Sequence, residues 1–523
     1  MKFRTSLHFA LLIAGFGFLG IGPQTKLAAQ TTASVLTWHN DNSRTGQNLN
    51  ETTLTTGNVN STEFGKVFSF PVDGLVYAQP LYVPNVSIPR RGTFNTVFVA
   101  TEHDSIYAFD ADGEVTTPLW HVSFINPSKG ITTISTQSQH CDSMKPEVGI
   151  TGTPVIDAST GTLYVVAATS EQGKAVQRLH ALDITTGREK FGGPVILQAN
   201  VSGVRFDATL IQRTGLLLLN GTVYIGYASL CDPHPYHGWI FGYSAQNVQT
   251  QVAAFVTTPN GDKGGIWQSG AGLAADNTGN IFVMDGDGSF DASTGGSDYG
   301  MSMMRLSTAS GLQVTDYFTP WNEDTLSNSD YDLGSGGVLL LPTQSGQHPN
   351  EALGADKEGK IFVVDRDHMG GFNPTRNPIV QTLKTPAQGY FSTPAYWQQD
   401  VYYSGIGDYL SMYPLNSGML PKSPASHSNT KFGFPGSTPS ISANGSSAGI
   451  VWAIQMPGNP GPAVLHAYDA SNVSNELYNS NQAGNRDHPG QAVKFTVPTV
   501  ANGRVYVGTQ AELDVYGLFS QKP

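Results

Sequence analysis

Charge is scarce in this 523-residue chain: 13% of residues are Asp, Glu, Lys or Arg, about half the ~25% usual for soluble proteins. What charge there is runs acidic, 28 Lys and Arg against 40 Asp and Glu. A net charge of −12 argues against a nucleic-acid partner, which wants a basic face. No run of like charges occurs. Cysteine is nearly absent, with Cys141 and Cys231 alone, and no haem-attaching C-x-x-C-H exists. After the first residues no apolar stretch reaches the ~18 needed for a transmembrane helix. Nucleophile elbows, phosphate-binding loops and His-Glu zinc helices are missing as well.

Glycine and aromatics are plentiful instead: 59 Gly, 21 Tyr and 25 Phe, a balance that suits tight turns and strands rather than helices. Eight short segments open on a Pro- or Gly-marked step: AQPLYV (78–83), TGTPVI (151–156), FDATLI (206–211), SGAGLA (269–274), SGGVLL (335–340), STPAYW (392–397), STPSIS (437–442) and TVPTVA (496–501). Most are answered by a strand of the form G-x-[ILV]-[YF]-V, as in GTLYVVAAT, GTVYIGYAS and GKIFVVDRD. A repeat of about 45 to 75 residues made of short strands is the signature of a propeller blade. The expectation is all-β: an eight-bladed β-propeller of four-stranded antiparallel blades, or seven blades if the weak FDATLI opener fails. Aromatics that follow Asp-x-x-x-Gly-type turns, Trp120, Phe191 and Tyr478, are expected to pack between neighbouring sheets.

Residues 1–30 read as a secretory signal, with Lys2 and Arg4, an apolar run from Phe9 to Ile21, then Ala28 and Ala29. Residues 31–523 read as one domain, periplasmic or secreted, without a transmembrane anchor. The last opener lies too near the C-terminus for a full blade. The segment SVLTWHNDNSRTGQNLN (34–50) has no blade of its own. Both shortages vanish if the N-terminal segment lends a strand to the last blade and closes the ring, which removes free sheet edges.

Chemistry should gather in the long insertions that break the rhythm. Asp285, Asp287 and Asp291 in MDGDGSFD could converge as a calcium loop, although Asp-Gly steps also make ordinary hairpin turns. His140, Cys141 and Asp142 with Cys231, Asp232, His234 and His237 offer zinc or copper ligands. In an oxidising compartment, a Cys141–Cys231 disulfide is the simpler use of two thiols. Glu323, Asp324, Asp330 and Asp332, followed by Asp356, Lys357 and Glu358, could supply a proton-abstracting carboxylate or be solvated loop charges.

Ordered along the chain, these features resemble the quinoprotein alcohol dehydrogenase family, eight-bladed propellers that hold pyrroloquinoline quinone (PQQ) and calcium at the axis. TWHNDNSRTGQN resembles the family's opening strand. AATSEQGKAVQRLHALDITTG puts Glu171 at the place of a calcium-ligating Glu. GGIWQSGAGLAAD puts Trp267 beneath the quinone. IFVMDGDGSFD puts Asp287 at a calcium-binding Asn. The stretch TPWNEDTLSNSDYDLGSGG offers Asp330 or Asp332 as the catalytic Asp, with Asp330 also a metal ligand. ALGADKEGKIFVVDRD offers Lys357 as the basic residue beside the quinone. The chain departs from the family in lacking its adjacent Cys-Cys pair and in placing Ser329 where a Trp precedes the catalytic Asp.

Two functions follow. One is a cell-envelope binding or scaffold propeller with a protein or glycan partner and no cofactor. The other is a PQQ- and calcium-dependent dehydrogenase of alcohols or sugars. There, Glu171 and Asp287 hold calcium, Asp330 or Asp332 takes the hydroxyl proton, and Lys357 stabilises the reduced oxygen. Electrons would leave to an external acceptor.

Overall fold

A computed structural model describes residues 1–2, 33–136, 144–458 and 460–519. Residues 33–523 form one compact unit. The expected signal segment lies almost wholly outside the described residues. Among those residues no helix is long and apolar enough to cross a membrane.

Eight blades of four antiparallel strands follow one another among the described residues, in sequence order from inside to outside in all but the last; the blade 2 sheet is widened by Ile131–Ser135 and Glu147–Val148, and Gln47–Asn48 adds to that of blade 7. Blade 1, with strands Leu81–Ile88, Gly92–Thr101, Ser105–Asp110 and Trp120–Ser123, sets the pattern. The inner strands of blades 2 to 8 are Val155–Asp157, Leu217–Leu219, Ala274–Ala275, Leu339–Leu340, Ala395–Trp397, Ser440–Asn444 and Thr499–Ala501. The eight-bladed expectation holds and the seven-bladed alternative falls. Blade 3 begins later than expected: FDATLI lies in the connection before it, where Ile211 bridges to Ala228. Its inner strand comes from the apolar run TGLLLL, whose continuous side chains can be buried on both faces.

The answering strands explain their own motif. The tyrosine of G-x-[ILV]-Y-V reaches the next blade and donates to the carbonyl just beyond that blade's third strand. Tyr164 bonds Ala245 O at 2.7 Å, Tyr402 bonds Ala470 O at 2.7 Å and Tyr506 bonds Ala111 O at 3.3 Å. A buried phenol needs such a partner. Trp120 works the same way on the outer strand, with its indole N–H 2.8 Å from Ile184 O. There Gly187 takes positive φ under the ring, where a Cβ would sit 2.8 Å from the indole.

The ring is closed by Phe64–Pro71, which pairs with Glu512–Leu518 as the outer strand of blade 8. Closure by an N-terminal strand was expected, but from residues 34–50. That segment instead runs around the axis. Val35 pairs with Tyr82, and Ile156 N–H bonds Leu36 O. Asn42 Nδ2 reaches Leu218 O. The amides of Ala275, Leu340, Tyr396 and Ile441 donate to the carbonyls of Asn42, Ser43, Thr45 and Gly46. Asn48 Nδ2 meets Val500 O at 2.8 Å. The thread therefore meets the same position of all eight inner strands, in blade order. Its polarity follows: a segment crossing the axis has no ladder of its own and must find every partner on the blades. The fully buried Arg44 donates to Leu273 O, Thr37 Oγ1, Trp38 O and Asp41 O. Gly46 turns beneath His39, with a Cβ excluded at 2.2 Å from the imidazole.

Candidate functional site

In every blade the inner strand starts next to the thread, which meets its second residue. The connections that precede the inner strands and the turns that follow the second strands share that end. They surround a cavity of about 280 Å³ lined from blades 3 to 8. Trp38 of the thread packs with Ala271 and Val497 and lines a small adjoining pocket that shares Arg213 and Phe495 with this cavity.

One wall is acidic. Asp287 follows the second strand of blade 4, Asp330 and Asp332 lie in the connection to blade 5, and Lys357 turns between two blade 5 strands. Ligand atoms of Asp287, Asp330 and Asp332 lie within 4.8 Å of one another, the one such group of three among the described residues. Asp332 accepts from the Asp287 amide at 2.9 Å and from the Trp267 indole at 3.1 Å. Lys357 Nζ stands 2.8 Å from Asp332 Oδ2 and 2.6 Å from Asp330 Oδ1. Lys263 pairs with Asp287 from the other side. Burial, then the nearby Asp332, pushes the Asp287 carboxyl up to about 6. Burial pulls Lys357 down, but Asp332 and Asp330 more than offset it and hold the ammonium above its usual range.

The rest of the lining is aromatic and basic, joined to the acidic wall through Trp267. Trp267, Phe391, Phe434 and Phe495 follow one another with ring centroids 5.3 to 6.1 Å apart. The Arg213 guanidinium closes the circle, 5.9 Å from the Trp267 ring and 4.8 Å from that of Phe495. Lys494 stands 5.4 Å from the Phe495 ring. Burial and the adjacent Arg213 pull its amine down to about 7.

Five of the residues singled out by resemblance thus come together: Trp267, Asp287, Asp330, Asp332 and Lys357. Glu171 does not. It sits at the tip of a long blade 2 hairpin, opposite Lys174 in register, and pairs with Arg178. There it lines a separate cavity with Phe124 and His180. The proposed loop of Asp285, Asp287 and Asp291 also fails to converge. Asp285 is buried against the Ser302 amide and Asp291 caps the Asp298 amide. No Cys/His metal group assembles among the described residues: His234 pairs with Asp262 and His237 bonds Thr258. Cys231 is disulfide-bonded. Its expected partner Cys141 lies outside the described residues with His140 and Asp142. Of the remaining acids, Glu323 and Asp324 open a short helix, Glu323–Asn328, Asp356 accepts from the Lys360 amide and Glu358 pairs with Lys360.

Arg213, Lys263, Phe391, Phe434, Lys494 and Phe495 were missed. A signal existed for three of them. Arg213, Phe391 and Phe495 each stand three residues before the Pro or Leu that precedes the inner strand, as Tyr77 does in blade 1.

No protein-family model matches the sequence, and no curated protein does. Solved structures do match. The quinohaemoprotein alcohol dehydrogenase of Comamonas testosteroni superposes with a TM-score of 0.60 at 15% identity, over 95% of this chain and 82% of that one. The quinohaemoprotein alcohol dehydrogenase ADHIIG of Pseudomonas putida HK5 gives 0.61 at 14% identity, over 94% and 81%. The fold is the quinohaemoprotein alcohol dehydrogenase propeller. Saccharomyces cerevisiae Sqt1 is similar at a TM-score of 0.52 and 9% identity, over 88% of this chain and all (100%) of that one. Within the dehydrogenase propeller fold, identities this low carry architecture and not chemistry.

Proposed function

We propose that the protein is an exported binding propeller of quinoprotein architecture, whose axial pocket takes a small organic molecule without a metal ion. One observation carries this reading: the carboxylates that would attract a cation are already paired with the ammonium groups of Lys357 and Lys263. Three acids against two lysines leave at most one net negative charge at the cluster.

The resemblance implies calcium and PQQ. Calcium takes about six to eight oxygens, whereas this cluster offers three carboxylates already paired, and Glu171 belongs to another cavity. These residues do not fit a resident calcium ion, so a calcium-polarised quinone has no place in the site's chemistry. They do fit an organic ligand. The volume suits one small molecule, and apolar walls with a few placed polar groups are how such pockets work. Trp267 and the three phenylalanines would stack on it. Asp330 and Asp287 would accept from its donors, with Asp287 able to hold or release a proton near neutral pH.

The dehydrogenase reading retains one point in its favour, the convergence of Trp267, Asp287, Asp330, Asp332 and Lys357. A single titration separates the two. The protein is mixed with PQQ with and without calcium, and with alcohols or sugars plus a redox dye. The binding reading expects no calcium-dependent shift of quinone absorbance and no dye reduction. Micromolar, calcium-dependent uptake with substrate-linked reduction would replace it with the dehydrogenase.

A further inference from the structure

A second cavity, of about 250 Å³, lies at the other end of the channel and is lined by the thread alone. The axial pocket uses residues that precede the inner strands, such as Phe434 before Ser440–Asn444. The second cavity uses Leu49, whose carbonyl accepts from the amide of Gly445 just beyond that same strand. Asn50 beside it bridges to Asn444, the last residue of the strand. The two cavities share no lining residue.

The lining decides what can bind. Among the described residues no Lys, Arg or His belongs to it, so an anion finds no counter-charge. The one acid, Asp41, has both oxygens engaged by Thr45, through its amide at 3.2 Å and through its hydroxyl. A lone carboxylate makes no cation site. The amide side chains divide into two groups. Those of Asn42 and Asn48 serve the blades. Those of Asn40 and Gln47 make no hydrogen bond among the described residues, and both line the cavity half-buried. An amide carries donors and an acceptor together, as a hydroxyl does, so two amides match neighbouring hydroxyls on an uncharged ring. Leu49, 39% exposed, offers apolar surface beside them for the C–H face of such a ring. The volume falls below the ~300 Å³ at which drug-sized pockets begin, which leaves room for one ring. We infer that this end of the channel is a second ligand site, where Asn40 and Gln47 hold a neutral sugar ring. It is independent of the axial pocket and of whatever binds there.

The test titrates the methyl pyranosides of glucose, galactose and mannose into the whole protein, read by saturation-transfer NMR. Cyclohexanol, a ring without neighbouring hydroxyls, is the control. At least one pyranoside should saturate in the millimolar range, and cyclohexanol should not bind. Asn40→Gly keeps the left-handed backbone of Asn40, at φ 73°, and removes the amide. That variant and Gln47→Leu should each weaken the pyranoside about three- to tenfold, the worth of one hydrogen bond. Trp267→Ala in the axial pocket should leave its affinity unchanged. Silence from all three pyranosides, or equal binding of cyclohexanol, would overturn the sugar site and leave the axial reading untouched. Affinity that ignores Asn40→Gly and Gln47→Leu but falls in Trp267→Ala would also overturn it, by moving the sugar to the axial pocket.

Discussion

If Lys357 is the built-in counter-ion of the acidic wall, its removal should expose the cost of burying Asp332. The side chain of Asp332 is 6% exposed and that of Lys357 15%, whereas Asp330 is 73% exposed. The Asp330 arm therefore contributes within the ~0–1 kcal/mol of a surface pair. Stripping one partner from a buried pair costs about 3–5 kcal/mol. Asp332 would keep two donors, the Asp287 amide and the Trp267 indole, so Lys357→Met should fall at the lower end, about 3 kcal/mol. Methionine keeps an unbranched apolar stem and removes the ammonium that stands 5.3 Å from the Trp267 ring. Urea denaturation at pH 7 reads the loss. The sign with pH is set by linkage: the Asp287 carboxyl is held at about 6 in the folded chain, above the ~3.9 of an unfolded Asp, and stripping the ammonium from this acidic cluster favours a proton on it further. The folded state then binds more protons between those values, so stability falls as pH rises and returns as pH drops. The deficit should shrink at pH 4.5. Adding Asp332→Asn, which removes the stranded charge, should restore most of the loss. A variant within about 0.5 kcal/mol of wild type at pH 7, or a deficit that ignores pH, would refute the pairing.

Other expectations concern the scaffold and the basic wall. Arg44→Met strands the carbonyls of Leu273 and Trp38. It should cost about 3 kcal/mol or more and speed hydrogen exchange at the Ala275, Leu340 and Tyr396 amides, which bond the thread. Tyr164→Phe, Tyr402→Phe and Tyr506→Phe should each cost about 1 kcal/mol in denaturant melts, and should add because they join separate blade pairs. Lys494 titrates near 7 in the folded chain and near ~10.4 unfolded. The unfolded state therefore holds more protons between those values, and stability should rise with pH there. In Lys494→Met, the same pH series of denaturant melts should lose that rise.

The blades were legible because their cause is local. An opener of Pro or Gly, a strand and an aromatic recur within each repeat, and the tyrosine hydroxyl serves the next blade by the same geometry each time. FDATLI misled because it imitates an opener while the true inner strand hides in the apolar run Leu216–Leu219. The thread could not be read from its own residues. Its partners lie on eight different blades, as far off as Val500 from Asn48, and no local period encodes them. At the site, the order of Trp267, Asp287, Asp330, Asp332 and Lys357 along the chain survived into space. Glu171 did not, because an unbroken hairpin carries it to a tip where Arg178 takes its charge. Lys357, expected beside the quinone, meets two acids of the same sequence cluster, Asp330 and Asp332, and stands 5.3 Å from the Trp267 ring.

The central claim is that lysine, not calcium, neutralises the axial acids, and equilibrium dialysis of the wild-type protein against calcium tests it directly. At about 1 mM free calcium, well above sensor-type affinities of ~10⁻⁷–10⁻⁵ M, the account predicts no stoichiometric ion on the chain. One ion per chain held at micromolar affinity, and lost in Asp287→Asn or Asp332→Asn, would contradict it.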